Sequence, residues 1–387
     1  MIKTKNQPLL GKRIIEMGGY LAAPFAGNML CQLGAEIIKI EPPLGDPTRT
    51  MVKGGPGGTF IAYSFGKQSL CIDLSKPQGK ILFERLLVTA DILVHNLSPQ
   101  ASIKLSVDAT SCHLINPKLV YCHIKGYGDG PRIDEIASNP IIEAATGSMY
   151  VNMVEGRPKR IGPSYQDMFA GMNAVIGILG AIVTGSDRPI VEVGLYETGL
   201  HVAARDLVSA QSVSTGGQSQ YGEFAHPGYG AYLTADKRWA YLLLLSDSHW
   251  TKFSEMANLI EGKDPTLKTR KQRQEQGERV EAAVSAFVHS VKFDDLSSQL
   301  KLAGIGFTEV LPPEKVLDDV QAKVAGKVTH VSYMEQTYKV AGSPLSYAEL
   351  SGNAPLLGEQ SVVIARSLGF TKEECEAMLQ AGVIHVS

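Results

Sequence analysis

Residues 9–49 read LLGKRIIEMGGYLAAPFAGNMLCQLGAEIIKIEPPLGDPTR, and this stretch decides the fold. Arg13-Ile-Ile-Glu-Met17 is a short strand, Gly18-Gly19 a break, and Ala22 to Leu33 an apolar segment of helical character. Gly34 supplies the helix stop, and Glu36-Ile-Ile-Lys-Ile40 is the next strand. Strand, turn, helix and strand within so few residues form a βαβ unit, which requires a parallel sheet.

The pattern repeats downstream. Ser75 is placed to cap a helix with Pro77 in its first turn, and Leu82/Leu86 and Phe83/Leu87 pair at i,i+4. Ile92-Leu-Val94 and Leu119-Val-Tyr-Cys-His-Ile124 read as buried parallel strands. Composition shifts near residue 201, and residues 209–230 are rich in Ser, Gly and Gln, as in a linker. Trp239 to Leu245 reads as a strand of a second segment. The highly charged run Glu261 to Arg279 reads as a solvated helix or loop. Thr371 with Glu374 is a capping box opening a last helix.

Bulk properties narrow the function. The 387 residues are 44% hydrophobic and 20% charged, a balance that supports a packed core. A net charge of −2 argues against a nucleic-acid partner, whose phosphates call for a basic surface. Five scattered cysteines (31, 71, 112, 122 and 375) with no C-x-x-C pair fit a reducing cytoplasm better than a disulfide framework or a zinc knuckle. Met1 to Arg13 lacks the apolar core of a signal peptide, and the apolar run Ala174 to Val183 is short for a membrane span. The expectation is a soluble cytoplasmic protein with no membrane partner.

Four segments could carry chemistry. Gly18-Gly19-Tyr-Leu-Ala-Ala-Pro24 lies between strand and helix, where glycines admit a ligand and the helix start offers free N–H groups. A tight packing turn is the plain alternative. Glu41, at the end of the second strand, stands where dinucleotide folds keep a ribose-binding acid, yet G-x-G-x-x-G is absent. Lys125-Gly126-Tyr127-Gly128-Asp129-Gly130 follows a buried strand, as a ligand loop does, although taken alone these residues read better as a flexible loop with a surface lysine. Asp167 precedes a helix read over Met168 to Val183, whose Ala170, Ala174, Gly177 and Ala181 form a small-residue stripe. As an N-cap, Asp167 either just satisfies the first N–H groups or, ionised and favoured by the helix terminus, attacks a carbonyl. His226 is a further pocket candidate. G-x-S-x-G and H-E-x-x-H are both missing, so neither a serine-hydrolase triad nor a metal site is read.

At these positions the chain resembles the family III CoA-transferases, the group of formyl-CoA transferase, carnitine CoA-transferase and α-methylacyl-CoA racemase. The resemblance takes in 9–49, GKQSLCIDLSKPQGK at 66–80, ADILVHNLSP at 90–99, INPKLVYCHIKGYGDGP at 115–131 and QDMFAGMNAVIGILGAI at 166–182. Near the end, AGIGFTEVLPPEKVLDD and APLLGEQ fit as well. It implies an α/β fold, with a Rossmann-like large domain built from both chain ends, a smaller α+β domain between them, and an interlocked homodimer. In boundaries, that is 1–208 for the first part, 209–230 the linker, 231–325 the small domain and 326–387 the return.

The resemblance also implies Asp167 as the catalytic carboxylate, forming an aspartyl-CoA thioester. Three CoA-contacting stretches fall on Ile72, Asp73, Leu74 and Ser75; on Asn96, Leu97, Ser98 and Lys104; and on Lys125, Gly126, Tyr127 and Gly128. Acyl-CoA and a small carboxylic acid are then substrates, with no permanently bound cofactor. Departures bear on the substrate. Leu21 stands where formyl-CoA transferase has glutamine, against oxalate as acceptor. Lys104 stands where arginine is common, and the racemase His-Asp pair is here Ser138-Asn139, against racemisation. A racemase, a nicotinamide-dependent oxidoreductase and a non-catalytic CoA-binding subunit are the rival readings.

Overall fold

The computed structural model describes residues 7–52, 56–214, 227–324, 327–345 and 352–387. The chain divides into two compact units, one of Met1–Leu207 with Val320–Ser387 and one of Val208–Asp319.

In the first unit the opening stretch folds as β1 (Arg13–Met17), α1 (Ala22–Gln32) and β2 (Glu36–Glu41). There follow β3 (Gln68–Ile72), α2 (Pro77–Val88), β4 (Ile92–His95), α3 (Pro99–Lys104), α4 (Ala109–Ile115) and β5 (Val120–Lys125). Next come α5 (Asn139–Ala145), α6 (Tyr165–Thr184), β6 (Ile190–Gly194) and α7 (Leu195–Val202), and α8 (Ala204–Ser214) runs across the boundary into the second unit. One seven-stranded sheet results, a mixed α/β architecture. Its parallel strands run in the order 3-2-1-4-5-6, and the carboxyl-terminal strand Ile384–His385 pairs antiparallel on the outer edge of β3.

Central strands bury both faces, which is why they read as near-continuous apolar runs. Alternate residues serve opposite cores: Ile14, Ile37, Ile92 and Val94 pack with Ala22, Ala26, Ala170 and Ala174 of α1 and α6. Ile15, Ile38, Leu70 and Leu93 pack with Leu82, Phe83 and Leu86 of α2 and with Ile364 and Met378 near the carboxyl terminus. The switch in strand order falls between β1 and β4, the position at which open α/β sheets receive ligands beyond the carboxyl ends of their strands.

The second unit has its own core. A three-stranded antiparallel sheet of β7 (Tyr229–Leu233), β8 (Trp239–Leu243) and β9 (Phe307–Glu309) packs against α9 (Asp247–Met256), α10 (Gly277–Ser290) and α11 (Phe293–Ala303).

Several local readings are corrected. α6 begins at Tyr165, so Asp167 is its third residue and not its N-cap, and the Ser164 side chain makes no capping bond. With twenty residues, α6 is also twice the apolar run read from sequence, long and apolar enough by length and composition to cross a membrane. Its Ala170, Ala174, Val175 and Ile178 are buried within the unit. Ser75 does not cap α2: its hydroxyl donates to Asp73 Oδ1 at 2.6 Å, and Lys76 takes the N-cap position with Pro77 first in the helix.

Residues 209–214, read as linker, continue α8, while 229 and 230 open β7. Residues 215–226, with His226 and Gly216-Gly217, lie outside the described residues. The charged run 261–279 is not uniformly solvated either. Arg273 is buried, donating to the carbonyls of Leu267 and Lys268 at 3.0 and 2.9 Å and to Asp247 Oδ1 at 2.6 Å. The capping box at Thr371 and Glu374 is present, opening the helix Lys372–Gln380.

Candidate active site

The carboxyl ends of β1 and β4 meet at Gly18-Gly19 and Asn96. Gly18 has φ +114°, and a Cβ on it would lie 1.8 Å from Asn96 Oδ1, so only glycine fits there. Asn96, just after β4, donates from Nδ2 to the Gly19 carbonyl at 3.0 Å, lacing the two strand ends together.

Beneath this turn lies a charge network set by strand register, since Glu16 of β1 stands opposite Lys39 of β2. Lys39 Nζ reaches Glu16 Oε1 at 3.0 Å, Asp46 Oδ2 at 2.8 Å and the Gly18 carbonyl at 3.4 Å. Lys67 Nζ bonds Glu16 Oε2 at 2.5 Å and the Pro24 carbonyl at 2.8 Å. Burial alone would drive the proton off Lys39, but the carboxylates of Glu16, Asp46 and Glu41 outweigh it and raise its pKa. Two lysines against two acids leave the group neutral, and its bonds to the Gly18 and Pro24 carbonyls fasten the turn and the start of α1.

Glu41 is part of the same scaffold. Arg49 grips it bidentately at 2.6 and 2.7 Å, Ser69 Oγ donates at 2.7 Å and the Asp46 N–H at 3.0 Å. Burial raises its pKa, and Arg49 and Lys39 more than reverse this to hold it low. Both carboxylate oxygens are satisfied inside the protein. A ribose-binding role for Glu41 is therefore corrected, and the nicotinamide reading loses its acid.

The three proposed ligand stretches each follow a parallel strand, so all share the carboxyl edge of the sheet. They differ in what they present. Ile72 and Leu74 are core residues, and Asp73 accepts from the Ser75 N–H and hydroxyl at 3.0 and 2.6 Å. Ser98 caps α3, accepting from the Ala101 N–H at 3.2 Å. Lys104, at the end of α3, is exposed and makes no ion pair among the described residues.

Lys125 is not a free cation. It is buried and paired with Glu192 at 2.7 Å and Asp129 at 3.3 Å, which raise its pKa against the lowering effect of burial. Tyr127 is buried beneath the Arg132 guanidinium, 4.3 Å from its ring centre, and its hydroxyl has no partner. The Gly128 N–H is held by the Glu197 carboxylate at 3.0 Å.

Asp167 reaches this edge through α1 and α5. A Cβ on Gly171 would lie 2.8 Å from the Ala22 carbonyl, so α6 presses directly on the first turn of α1. Asp167 is one turn earlier, about 5 Å along the axis. From the other side, a Cβ on Gly126 would lie 2.3 Å from Ala137, two residues before Asn139. Asn139 Oδ1 accepts from the N–H groups of Gln166 and Asp167 at 3.0 and 3.3 Å, doing from outside what a helix cap does from within. The 125–128 loop and Asp167 are thus brought into one neighbourhood. No hydrogen bond or ion pair ties Ile72–Ser75 or Lys104 to Asp167.

Three residues around Asp167 escaped the sequence reading as parts of the site. Asn139 donates to buried Glu143, which also accepts from the Ile161 N–H at 3.3 Å and from Arg160 at 3.4 Å. The available signal was Asn139-Pro140 with Glu143 at i,i+4, which places both polar side chains on one face of a short helix. The half-buried Asp167 carboxylate itself accepts no hydrogen bond among the described residues. Burial raises its pKa to about 7, with Arg160 opposing and Glu143 adding to the rise. Sequence reasoning had the helix terminus favour the ionised form; desolvation outweighs it here.

Sheet order and strand-end loops define a doubly wound α/β protein, with the half-buried Asp167 on a helix packed against its first βαβ turn. The model of CoA-transferase family III matches residues 9–361, and the chain belongs to that family.

Its relatives agree. A formyl-CoA:oxalate CoA-transferase of Streptomyces avermitilis is 26% identical over 98% of this chain and 100% of its own length. A succinyl-CoA–D-citramalate CoA-transferase of Chloroflexus aurantiacus is 25% identical over 97% of each chain. A succinate–glutarate CoA-transferase of Agrobacterium fabrum is 35% identical over 46% of this chain, spanning 48% of the relative. The crystal structure of a CAIB/BAIF family protein from Brucella suis, 27% identical, covers 94% of this chain and 100% of that one with a TM-score of 0.82.

Proposed function

We propose that this protein moves CoA from an acyl-CoA thioester to a free carboxylic acid through an aspartyl-CoA thioester on Asp167. The observation that carries the reading is the state of Asp167: no donor among the described residues satisfies its carboxylate, and burial holds its pKa near 7. A stabilised, fully bonded carboxylate would be a poor nucleophile; this one has lone pairs to give.

In the proposed sequence an Asp167 oxygen attacks the donor's thioester carbonyl and CoA leaves as thiolate, giving a mixed anhydride. The thiolate attacks the aspartyl carbonyl, the donor acid leaves as carboxylate, and aspartyl-CoA remains. The acceptor carboxylate attacks aspartyl-CoA, giving a second anhydride and CoA thiolate. The thiolate takes the acceptor acyl group and restores the Asp167 carboxylate. Each step exchanges one activated acyl group for another. The thiolate has to stay close between steps, which binding of the nucleotide part along the strand ends achieves.

The relatives' names point to dicarboxylic acids, and succinyl-CoA is the donor we favour. Leu21 argues against oxalate as acceptor, and Ser138-Asn139 against a racemase. Lys104, exposed and without an ion pair among the described residues, is a cation for a CoA phosphate; Lys125 instead rigidifies its loop. The outward face of α6 carries Phe169, Met172, Ile176 and Val183 at i, i+3, i+7 and i+14, all exposed in the single chain. A homodimer that covers this face, in the interlocked arrangement, fits it. Five free cysteines, four of them buried, suit the cytoplasm.

The test mixes succinyl-CoA with a panel of carboxylic acids and follows thioesters by liquid chromatography and mass spectrometry. Transfer predicts a new acyl-CoA with total thioester conserved. Net hydrolysis alone, or deuterium uptake at the acyl α-carbon in D2O without an acceptor, would replace this reading with another.

A further inference from the structure

A cluster of buried aromatic polar groups lies under the 96–98 loop, on the sheet face away from Asp167. His95 ends β4 and His123 stands beside it on β5, with ring centres 4.1 Å apart and planes 27° apart. Both are buried. They grip one residue from two sides: the Leu97 N–H donates to His95 Nδ1 at 3.4 Å, and the Leu97 carbonyl faces His123 Nε2 at 2.8 Å.

Leu97 is the link between two parts of the edge. Before it, Asn96 holds the Gly19 carbonyl; after it, Ser98 caps the helix that carries Lys104. Its position therefore sets the spacing between the Gly18-Gly19 turn and Lys104.

We propose that His95 and His123 are positioning residues that hold the Asn96–Ser98 loop in the form that receives the nucleotide part of CoA, and that a proton on His95 Nδ1 releases it. The proposal rests on the reading of that loop as a CoA contact.

Bonding capacity makes the pair asymmetric. A backbone N–H only donates, so His95 Nδ1 is an acceptor and the ring's proton is on Nε2, directed at the Tyr121 hydroxyl 2.7 Å away. An imidazolium has no acceptor, so a second proton and the Leu97 bond exclude each other. His123 donates to a carbonyl and keeps that bond in either charge state.

The groups facing the pair set the pH at which release occurs. Burial first, then the stacked His123, hold the His95 pKa well below its ordinary 6.5. His123 is itself lowered by burial, with Lys125 adding to the effect and Glu192 opposing it. His113 lies edge-on to Tyr121, with ring centres 6.3 Å apart, and Asp108 and Cys112 act on the same tyrosine. The Leu97 bond is thus present at neutral pH and is lost as pH falls through the lowered value.

Titration calorimetry with CoA itself, on wild type, H95F, H95Q and H123F from pH 7.5 in steps down to the lowest pH at which the proteins stay folded, tests this. At pH 7.5 the Kd should rise about fivefold in H95F and H123F, the size of one lost hydrogen bond. H95Q should restore most of the affinity, because its amide offers the same acceptor and donor. Wild type should lose more affinity than H95Q as pH falls through the lowered His95 value, and in turnover H95F should raise the KM for acyl-CoA while leaving kcat largely unchanged. A folded H95F with wild-type affinity overturns the proposal, as does H95Q tracking the wild type across pH. Should H95F not fold, the wild-type and H95Q pH curves decide alone. Active transfer with unaltered CoA binding in the variants would sink only the positioning role. The predicted binding pattern without transfer would sink only the transferase reading.

Discussion

Replacing Asp167 by asparagine should stabilise the protein, and only above a definite pH. The carboxyl is raised from its ordinary 3.8 to about 7 by burial, so the folded state holds a proton that the unfolded chain releases. Stability from this group is full below pH 3.8 and is lost as pH rises through 7. The gap of about three pH units corresponds to about 4 kcal/mol at about 1.4 kcal/mol per unit. Asp167 is partly exposed, and solvent screening about halves this, to about 2 kcal/mol. Asparagine has no proton to lose and leaves the backbone bonds from Asn139 untouched. The midpoint difference between D167N and wild type, followed by scanning calorimetry from pH 4 to 8.5, should be near zero at the acid end. It should then grow to about 4 °C in favour of D167N by pH 8. A difference that is flat with pH, or wild type gaining on the variant as pH rises, would show that the helix terminus and not burial governs this carboxylate.

Other expectations follow from the same geometry. If the ionised carboxylate is the attacking group, log kcat/KM for acyl-CoA should climb with unit slope below about pH 7 and level above it, which a pH-rate profile reads directly. Lys104→Ala should raise the KM for acyl-CoA several-fold at low salt and progressively less at high salt, with kcat largely kept; steady-state kinetics at two ionic strengths check this. Gly171→Val puts a branched side chain against the Ala22 carbonyl and Phe25. It should cost about 1–3 kcal/mol, lowering the melting midpoint and activity together.

Much of this architecture was legible because the βαβ signal is local. Ile14, Ile15, Ile37 and Ile38 are β-branched residues on strands buried on both faces, and Gly18 and Gly34 punctuate them. What stayed hidden was pairing at a distance. Nothing near Glu41 in the sequence says that Arg49 and Ser69 saturate it, so it read as a ribose acid. Lys125 read as a loose cation because Glu192 is 67 residues away along the chain and adjacent only through the pairing of β5 with β6. The start of α6 was misplaced for the same reason. Its first N–H groups are satisfied by Asn139 from another helix, and Ser164, which stands at the N-cap position, makes no capping bond.

The covalent role of Asp167 is tested most directly by incubating the protein with acyl-CoA in the absence of an acceptor acid, digesting it rapidly under acid conditions and weighing the peptide that contains residue 167. A peptide heavier by one CoA less one water, lost on adding a carboxylic acid and never formed in D167N, is the predicted result. An unmodified peptide from an enzyme that still exchanges acyl groups, or full exchange by D167N, would contradict it.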